Sequence, residues 1–213
     1  MNDLNGLLRR SDEDRASKAA TVELARAAEM AGLVDVAYSW VDGPLGTLLV
    51  AATRRGLVRV AYPGETPDEV LRELATGVSP RVLEAPAMLD EARRELDEYF
   101  AGSRHRFDIG VDFALTRGFT TRVLRATSRI PYGSVSSYKD VAGRAGNPRA
   151  YRAAGNALGS NPIPIVVPCH RVVASDGTLG GYAGGLEAKR RLLQLERGAV
   201  PSGGWPPAHL SRT

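Results

Sequence analysis

Residues 137–159 read Ser137-Tyr138-Lys139-Asp140-Val141-Ala142-Gly143-Arg144-Ala145-Gly146-Asn147-Pro148-Arg149-Ala150-Tyr151-Arg152-Ala153-Ala154-Gly155-Asn156-Ala157-Leu158-Gly159. The spacing predicts a short helix that begins at Ser137-Tyr138 and ends near Gly146. Pro148 then opens a second helix, Arg149–Leu158, which Gly159 stops. Two short helices with a Gly/Pro turn between them suggest a helix-turn-helix, although an ordinary αα-corner is the commoner source of such a pattern. The second helix is rich in small residues: Ala150, Ala153, Ala154, Gly155 and Ala157. Small side chains let a helix backbone approach another surface closely, whether a second helix or a groove. Arg152 interrupts that small face.

The flanks extend the helical pattern. Phe119–Arg129 has helical spacing of apolar residues, and Pro131-Tyr132-Gly133 breaks it. Ser175-Asp176-Gly177-Thr178 is a hairpin signal, and a hairpin beside a helix-turn-helix forms a wing. A last amphipathic helix is expected from Leu186 to Arg197, with Gly198 as its stop.

The chain before this region alternates strand and helix. Val36–Val41, Thr47–Ala52 and Leu57–Tyr62 have strand character, separated by turns at 42–46 and 54–56. Pro67 and Pro86 sit where first-turn prolines belong. The first helix is expected to stop at Gly77, and the second to run from Met88 to Phe100. A final strand is expected over Phe107–Phe113. The organisation expected is a helical extension over 1–33, with Ser11 as N-cap and Gly32 as stop. An α/β domain over 34–113, a helical domain over 114–198 and a flexible tail over 199–213 follow it.

Composition narrows the function classes. The chain has 213 residues, 43% of them hydrophobic and 24% charged, which is the balance of a soluble globular protein. No 18-residue apolar run or signal-peptide core is present, so no membrane association is expected and the cytoplasm is the expected compartment. The single cysteine, Cys169, rules out an internal disulfide and a multi-cysteine zinc site. His105, His170 and His209 are scattered, so neither metal nor cofactor is expected. From Ala114 to Arg197 there are 13 Lys/Arg against 4 Asp/Glu, a net of +9, whereas the remaining residues carry 15 against 20. Such asymmetry is the footprint of a polyanion-binding surface, or of a solvated basic face.

Chemistry concentrates at Asn161-Pro162-Ile163-Pro164-Ile165-Val166-Val167-Pro168-Cys169-His170-Arg171-Val172. A thiol attacks as its thiolate, and a nearby base or positive charge raises that fraction. His170 and Arg171 are candidates for both. Neighbouring side chains often point apart, so a bridging water is the expected route between Cys169 and His170. A bare Cys-His pair is more often a buried structural cysteine beside a surface histidine.

The surrounding motifs change that balance. Ile130-Pro131-Tyr132-Gly133-Ser134-Val135, Ser137-Tyr138, Arg152-Ala153-Ala154-Gly155, Asn161-Pro162, Pro168-Cys169-His170-Arg171-Val172 and Gly181-Tyr182-Ala183-Gly184-Gly185-Leu186 recur at the spacing of one family. Over about residues 36–198 the chain resembles the O6-alkylguanine-DNA alkyltransferases. The resemblance implies an α/β + α architecture: an N-terminal ribonuclease-H-like α/β domain and a C-terminal winged helix-turn-helix DNA-binding domain. It implies DNA repair by stoichiometric transfer of an alkyl group from O6-alkylguanine, with O4-alkylthymine as a further substrate, onto Cys169. Under it, His170 is the base through a water and Glu196 orients His170. Tyr138 protonates the leaving guanine and crowds the phosphate backbone, Arg152 replaces the flipped nucleotide, and Asn161 holds the two helices at the hinge before the active-site strand. Val172, Tyr182, Ala183, Gly184 and Pro164 line the base pocket, and Thr120, Lys139, Asn147 and Ser175 touch DNA. The partner implied is double-stranded DNA containing O6-alkylguanine, bound by a monomer that clusters along the duplex.

The physics agrees with that implication. The target oxygen lies inside the duplex, so the base must be flipped out. A small-faced helix suits the minor groove, where sequence readout is poor and damage at any guanine is accessible. The chain departs from the common family pattern at Tyr151, Ala154, Ala183 and the 119–124 segment. The rival readings are a non-enzymatic alkylguanine sensor, a thiol hydrolase and a winged-helix regulator with a structural Cys169.

Overall fold

The computed structural model describes residues 25–197 together with Ala20 and Glu23. The expected N-cap at Ser11 and the tail from 199 lie outside the described residues. Residues 25–30 are helical, and Gly32 ends that helix at φ +67°, with Leu33 N donating to Ala28 O. A left-handed glycine just past a helix is the usual chain-reversal chemistry.

Three strands follow: β1 (Val36–Val41), β2 (Leu48–Thr53) and β3 (Gly56–Ala61). They pair antiparallel in sequence, β1 with β2 and β2 with β3. α1 (Pro67–Gly77) begins at a first-turn proline with Asp68 and Glu69 in its first turn, where the helix dipole favours acids. A short strand, β4 (Val82–Glu84), then returns parallel to β1, giving the order β3-β2-β1-β4. A 3-10 turn at Pro86–Leu89 leads into α2 (Asp90–Phe100).

One expectation needs correction in this half, and one element had no counterpart in the sequence reading. β4 was not anticipated, because its three residues are too few to show an alternating pattern. The strand expected over Phe107–Phe113 does not form; only Val111 bridges Leu57. Leu57 N donates to Gly110 O at 2.8 Å and Asp112 N donates to Leu57 O at 2.7 Å, and the pairing goes no further.

The second half holds α3 (Gly118–Thr127), β5 (Ser136–Ser137), α4 (Tyr138–Arg144), α5 (Tyr151–Gly159), β6 (Val172–Val173) and α6 (Gly185–Arg197). Ser137 caps α4 in a reciprocal box with Asp140. α5 starts at Tyr151 and not at Arg149, because Asn147 Oδ1 accepts from Arg149 N and holds Pro148 in a turn ahead of the helix. The turn at 175–178 forms, with Ala174 N donating to Thr178 O at 2.8 Å. Its second strand does not form, so no hairpin ladder exists here. β6 pairs instead with β5, in parallel. The Lys189 ammonium bonds the carbonyls of Val172 and Leu179 and fastens the segment after the turn.

One apolar core runs through both halves. Leu57, Leu96 and Tyr99 from the first pack in the same cluster as Leu124, Ile163, Ile165 and Leu192 from the second. A smaller cluster, with Val36, Val58, Val70 and Leu74, lies between the sheet and α1. No helix among the described residues is long and apolar enough to cross a membrane.

Gly56 sits at φ +126°, and a Cβ there would lie 2.1 Å from Gly110 O. Gly56→Ala is expected to cost about 3 kcal/mol or more, through backbone strain and loss of the Leu57 bridge. Urea unfolding measures it, and a midpoint within error of wild type would refute the assignment.

Candidate active site

The stretch from Asn161 to Val172 is buried throughout. No strand forms over 163–168; the chain turns tightly, and Ile165 adopts φ +75° as the one non-glycine residue with positive φ among those described. A β-branched residue in that region is strained by roughly 1–3 kcal/mol, so its surroundings must hold it there. Asn161 does much of the holding. Its Nδ2 donates to Val167 O at 2.9 Å and to Cys169 Sγ at 3.1 Å, and its Oδ1 accepts from Ile163 N at 3.1 Å. Asn161 therefore ties the loop and the thiol.

Cys169 begins a one-turn 3-10 helix, Cys169–Arg171, and is 4% exposed. Burial pushes its thiol above the usual range; the Asn161 bond, the Lys189 charge and a Tyr182 bond pull the other way. At rest the sulfur is therefore a thiol. Burial likewise holds His170 below its ordinary value, against the pull of Glu196, so its imidazole is neutral. His170 Nε2 and Glu196 Oε1 lie 2.8 Å apart. In a neutral ring facing a carboxylate, that nitrogen carries the proton, which leaves Nδ1 as a bare acceptor. Among the described residues Nδ1 has no hydrogen-bond partner. A buried lone pair on a neutral imidazole is what a general base requires.

Glu196 is fully enclosed. Besides His170 it accepts from Arg171 Nε at 2.9 Å and Nη2 at 2.8 Å, Tyr99 Oη at 2.8 Å and Gly133 N at 3.2 Å. Burial pushes this carboxyl up, but the hydrogen bonds from His170 and Arg171 and the Arg171 charge outweigh it and hold it at about 2. Arg171 is thus committed to Glu196, with Nη1 on Ile130 O at 2.6 Å. It does not serve as the free positive charge beside the thiol. Lys189 is the other buried cation: its ammonium bonds the carbonyls of Val172 and Leu179, desolvation lowers it to about 8, and its charge favours the Cys169 anion.

Tyr138, at the start of α4, lies between Gly155 of α5 and Gly180. A Cβ on Gly180 would sit 2.5 Å from its hydroxyl. Burial and the nearby Cys169 raise its phenol, so it keeps its proton. Val172 and Pro164 are buried beside the thiol segment, and Gly184 packs on Tyr62. Ala183 is exposed. Thr120 is half-buried, while Lys139, Asn147, Arg152 and Ser175 are exposed. The outer face of α5 presents Tyr151, Arg152, Ala153 and Asn156, and the Arg152 guanidinium lies 5.8 Å from the Tyr151 ring centre. Of the 13 basic residues in this half, Arg171 and Lys189 are internal, so the surface charge is smaller than the sequence count.

Sequence reasoning missed three site residues, Tyr62, Tyr99 and Lys189, and the structural role of Arg171. One signal was available. Lys189, Leu192, Leu193 and Glu196 share one helical stripe, and two ionisable groups on an apolar stripe mark a buried polar site. A cleft of about 590 Å³ lined by His105, Arg106, Arg129, Tyr132 and Arg171 lies behind Arg171 and does not include Cys169.

Comparison with known proteins gives a consistent picture. Residues 36–113 match the 6-O-methylguanine DNA methyltransferase, ribonuclease-like domain, and residues 118–198 match the DNA binding domain of the same name. A methylated-DNA–protein-cysteine methyltransferase of Methanosarcina barkeri is 38% identical, covering 75% of this chain and 96% of the relative. Its counterpart in Mycolicibacterium paratuberculosis is 41% identical over 78% and 96%. The crystal structure of Mycobacterium tuberculosis OGT in complex with DNA superposes with TM-score 0.65 at 37% identity, over 78% of this chain and 96% of that one.

The depressed Glu196 carboxyl makes a pH prediction. Its folded value, about 2, lies below its unfolded 4.5. It therefore contributes stability that is complete above pH 4.5 and lost as pH falls towards 2, on the order of 3 kcal/mol. Glu196→Gln is expected to lower stability at neutral pH by roughly 3–5 kcal/mol, because it leaves Arg171 buried without its counter-charge. It is also expected to flatten the acid limb between pH 4.5 and 2. Urea titrations across that window decide it, and an unchanged slope counts against the pairing.

Proposed function

The chain belongs to the 6-O-methylguanine DNA methyltransferase family, the methylated-DNA–protein-cysteine methyltransferases, and from that premise we propose how its own residues carry the reaction. The activity is direct repair of alkylated DNA, in which one protein molecule takes one alkyl group. Cys169 is the acceptor. The observation that carries this assignment is the buried row of Asn161, Cys169, His170 and Glu196, with a hydrogen bond on the sulfur and a neutral imidazole anchored by a carboxylate.

The thiol proton passes through a water to His170 Nδ1, and Glu196 stabilises the imidazolium that results. The sulfur attacks the alkyl carbon, the carbon–O6 bond breaks, and its electron pair goes to the guanine. Tyr138 supplies the proton that the leaving base needs. The product is a thioether, and no group in the site can cleave it, so turnover ends there. Val172, Pro164, Tyr182, Ala183 and Gly184 frame the base.

Access requires the nucleotide to leave the duplex, which costs a few kcal/mol and less when alkylation has weakened the pair. Arg152, exposed on the outer face of α5, fills the gap it leaves. Thr120, Lys139, Asn147 and Ser175 contact the strand around it, so affinity falls with salt. Tyr151, flanking Arg152, widens the face that enters the minor groove. The protein acts as a monomer that clusters along double-stranded DNA, in the cytoplasm, with no membrane role. A sensor without chemistry is not favoured, since the acceptor and its proton path are both present.

Incubation with duplex DNA carrying O6-methylguanine is expected to add one methyl to the Cys169 peptide, in a 1:1 amount, by mass mapping. Binding without a mass change would sink the transfer. Cys169→Ser is expected to abolish transfer and retain DNA binding. Arg152→Ala is expected to slow repair on fully paired duplex at least tenfold more than on DNA with the lesion mismatched, because flipping is cheaper there. Equal losses on both substrates would remove Arg152 from the flipping step.

A further inference from the structure

The 179–185 segment follows a turn whose hairpin ladder does not form, and little in its own backbone holds it. Gly185 N donates to Tyr182 O at 3.0 Å, and no strand pairs with it. Its shape is set from outside. On one side stands Tyr138, against Gly180. On the other stands Tyr62, which follows β3 in the half of the chain that carries no chemistry by sequence. A Cβ on Gly184 would lie 2.7 Å from Tyr62 Cζ, 2.8 Å from Cε2 and 3.0 Å from Cε1. The Tyr62 and Tyr182 hydroxyl oxygens are 2.7 Å apart across 120 residues of sequence, and the two rings meet edge to face at 6.0 Å. Tyr182 meets the His170 ring in the same manner at 6.4 Å.

Tyr62 is itself firmly held. Its N donates to Glu65 Oε1 at 2.8 Å, its carbonyl accepts from Glu65 N at 3.0 Å, and Arg59 binds the Glu65 carboxylate. Pro63 occupies the space beside Gly46, where a Cβ would lie 2.6 Å from its Cγ. Two positions before Tyr62, Val60 N donates to Pro162 O at 2.8 Å, so the same strand end also grips the thiol-bearing segment. The Tyr62 side chain is buried in the core that joins the two halves. Glycine-rich backbone takes the shape that its surroundings allow, and here a fixed aromatic ring sets it.

We propose that Tyr62 is a specificity-determining residue for the alkyl transfer: from the other half of the chain it backs the Tyr182–Gly184 wall of the base pocket and so limits the size of the O6 substituent that reaches Cys169. It acts through Tyr182 and Gly184, which it positions, and takes no part in the chemistry. The inference rests on the reading above, in which those two residues frame the base. Its basis is steric. Close-packed side chains resist displacement, so a wall with a ring behind it does not retreat from a bulky group. Without the ring, the wall has space to move into. In an apolar pocket a difference of one methylene is worth roughly 10- to 200-fold in rate.

O6-methylguanine and O6-benzylguanine, placed at the same position of one duplex, give the ratio of benzyl to methyl transfer, read as the mass added to Cys169. A general loss of stability slows both reactions and leaves their ratio alone. Tyr62→Ala is expected to raise the ratio roughly tenfold over wild type. Gly184→Ala is expected to lower it, because the new Cβ is forced against the Tyr62 ring and the wall moves inward. The double variant gives that methyl the room the ring had filled, so its ratio is expected to return to the wild-type value or above it. An unmoved ratio in folded Tyr62→Ala overturns the proposal. So does a Gly184→Ala ratio that is unmoved, or that Tyr62→Ala fails to restore. If Tyr62→Ala does not fold, Tyr62→Leu, which keeps apolar cover but puts no ring on Gly184, must raise the ratio, and no rise is equally fatal. Absence of both transfers in wild type would sink the functional reading and this inference with it, whereas normal methyl transfer with an unmoved ratio sinks the inference alone.

Discussion

The carboxylate of Glu196 is the constraint on which the rest of the site depends. Taking a carboxylate out of water costs several kcal/mol, and only a complete set of donors offsets it. The donors are Tyr99 from α2, Gly133 from the turn before β5, and His170 and Arg171 from the 3-10 turn. Three segments, one of them from the first half of the chain, must converge on α6 to satisfy one anion. The orientation of His170 follows from that convergence. Its Nε2 is held by the carboxylate, which fixes the tautomer and leaves Nδ1 as the free lone pair.

The segment over residues 179–185 is governed by close approach in a similar way. Gly180 and Gly184 admit Tyr138 and Tyr62 to distances that any Cβ would forbid, and the Lys189 ammonium ties Leu179 to Val172. Two tyrosines and one buried lysine thus replace the hairpin ladder expected after the 175–178 turn. The strained Ile165 belongs to the same design: its φ is tolerated because Asn161 pins the chain on both sides of it. Rigid elements from both halves, joined by one continuous core, leave the thiol segment little freedom to relax.

What the sequence revealed and what it hid divide along contact range. Local chemistry was legible: Pro67 and Gly77 bound α1 as expected, and the run from Ser137 opened α4. Pro148 misled by two residues, because a proline signal does not reveal that the Asn147 side chain claims the next amide. β4 and the failed 107–113 strand were illegible, since each depends on a partner more than 40 residues distant. Cys169, His170, Glu196, Tyr138 and Asn161 were named through family motifs, since a lone Cys-His pair does not distinguish a reacting thiol from a structural one. Tyr62 and Tyr99 belong to no such motif. They reach the site across separations of 120 and 97 residues, which no local pattern encodes.

The protonation state of the resting site fits a protein that reacts once. An exposed thiolate would be lost to any passing electrophile or oxidant, and with a single cysteine each loss would remove one repair event. Burial raises the Cys169 thiol and lowers His170, so at rest the proton stays on sulfur and both groups are neutral. The means of reversing that arrangement are already in place: the Nδ1 lone pair, the Glu196 carboxylate behind it, and the Asn161 amide donating to the sulfur. Charge therefore needs to appear only while the alkyl carbon is within reach, and the same enclosure that stabilises the developing ion pair protects the thiol beforehand. A catalyst that turns over can tolerate an occasional unproductive reaction if its nucleophile is regenerated. A reagent that forms a thioether cannot, and so the burial that looks like an obstacle to reactivity is the condition under which the cysteine survives to meet its substrate.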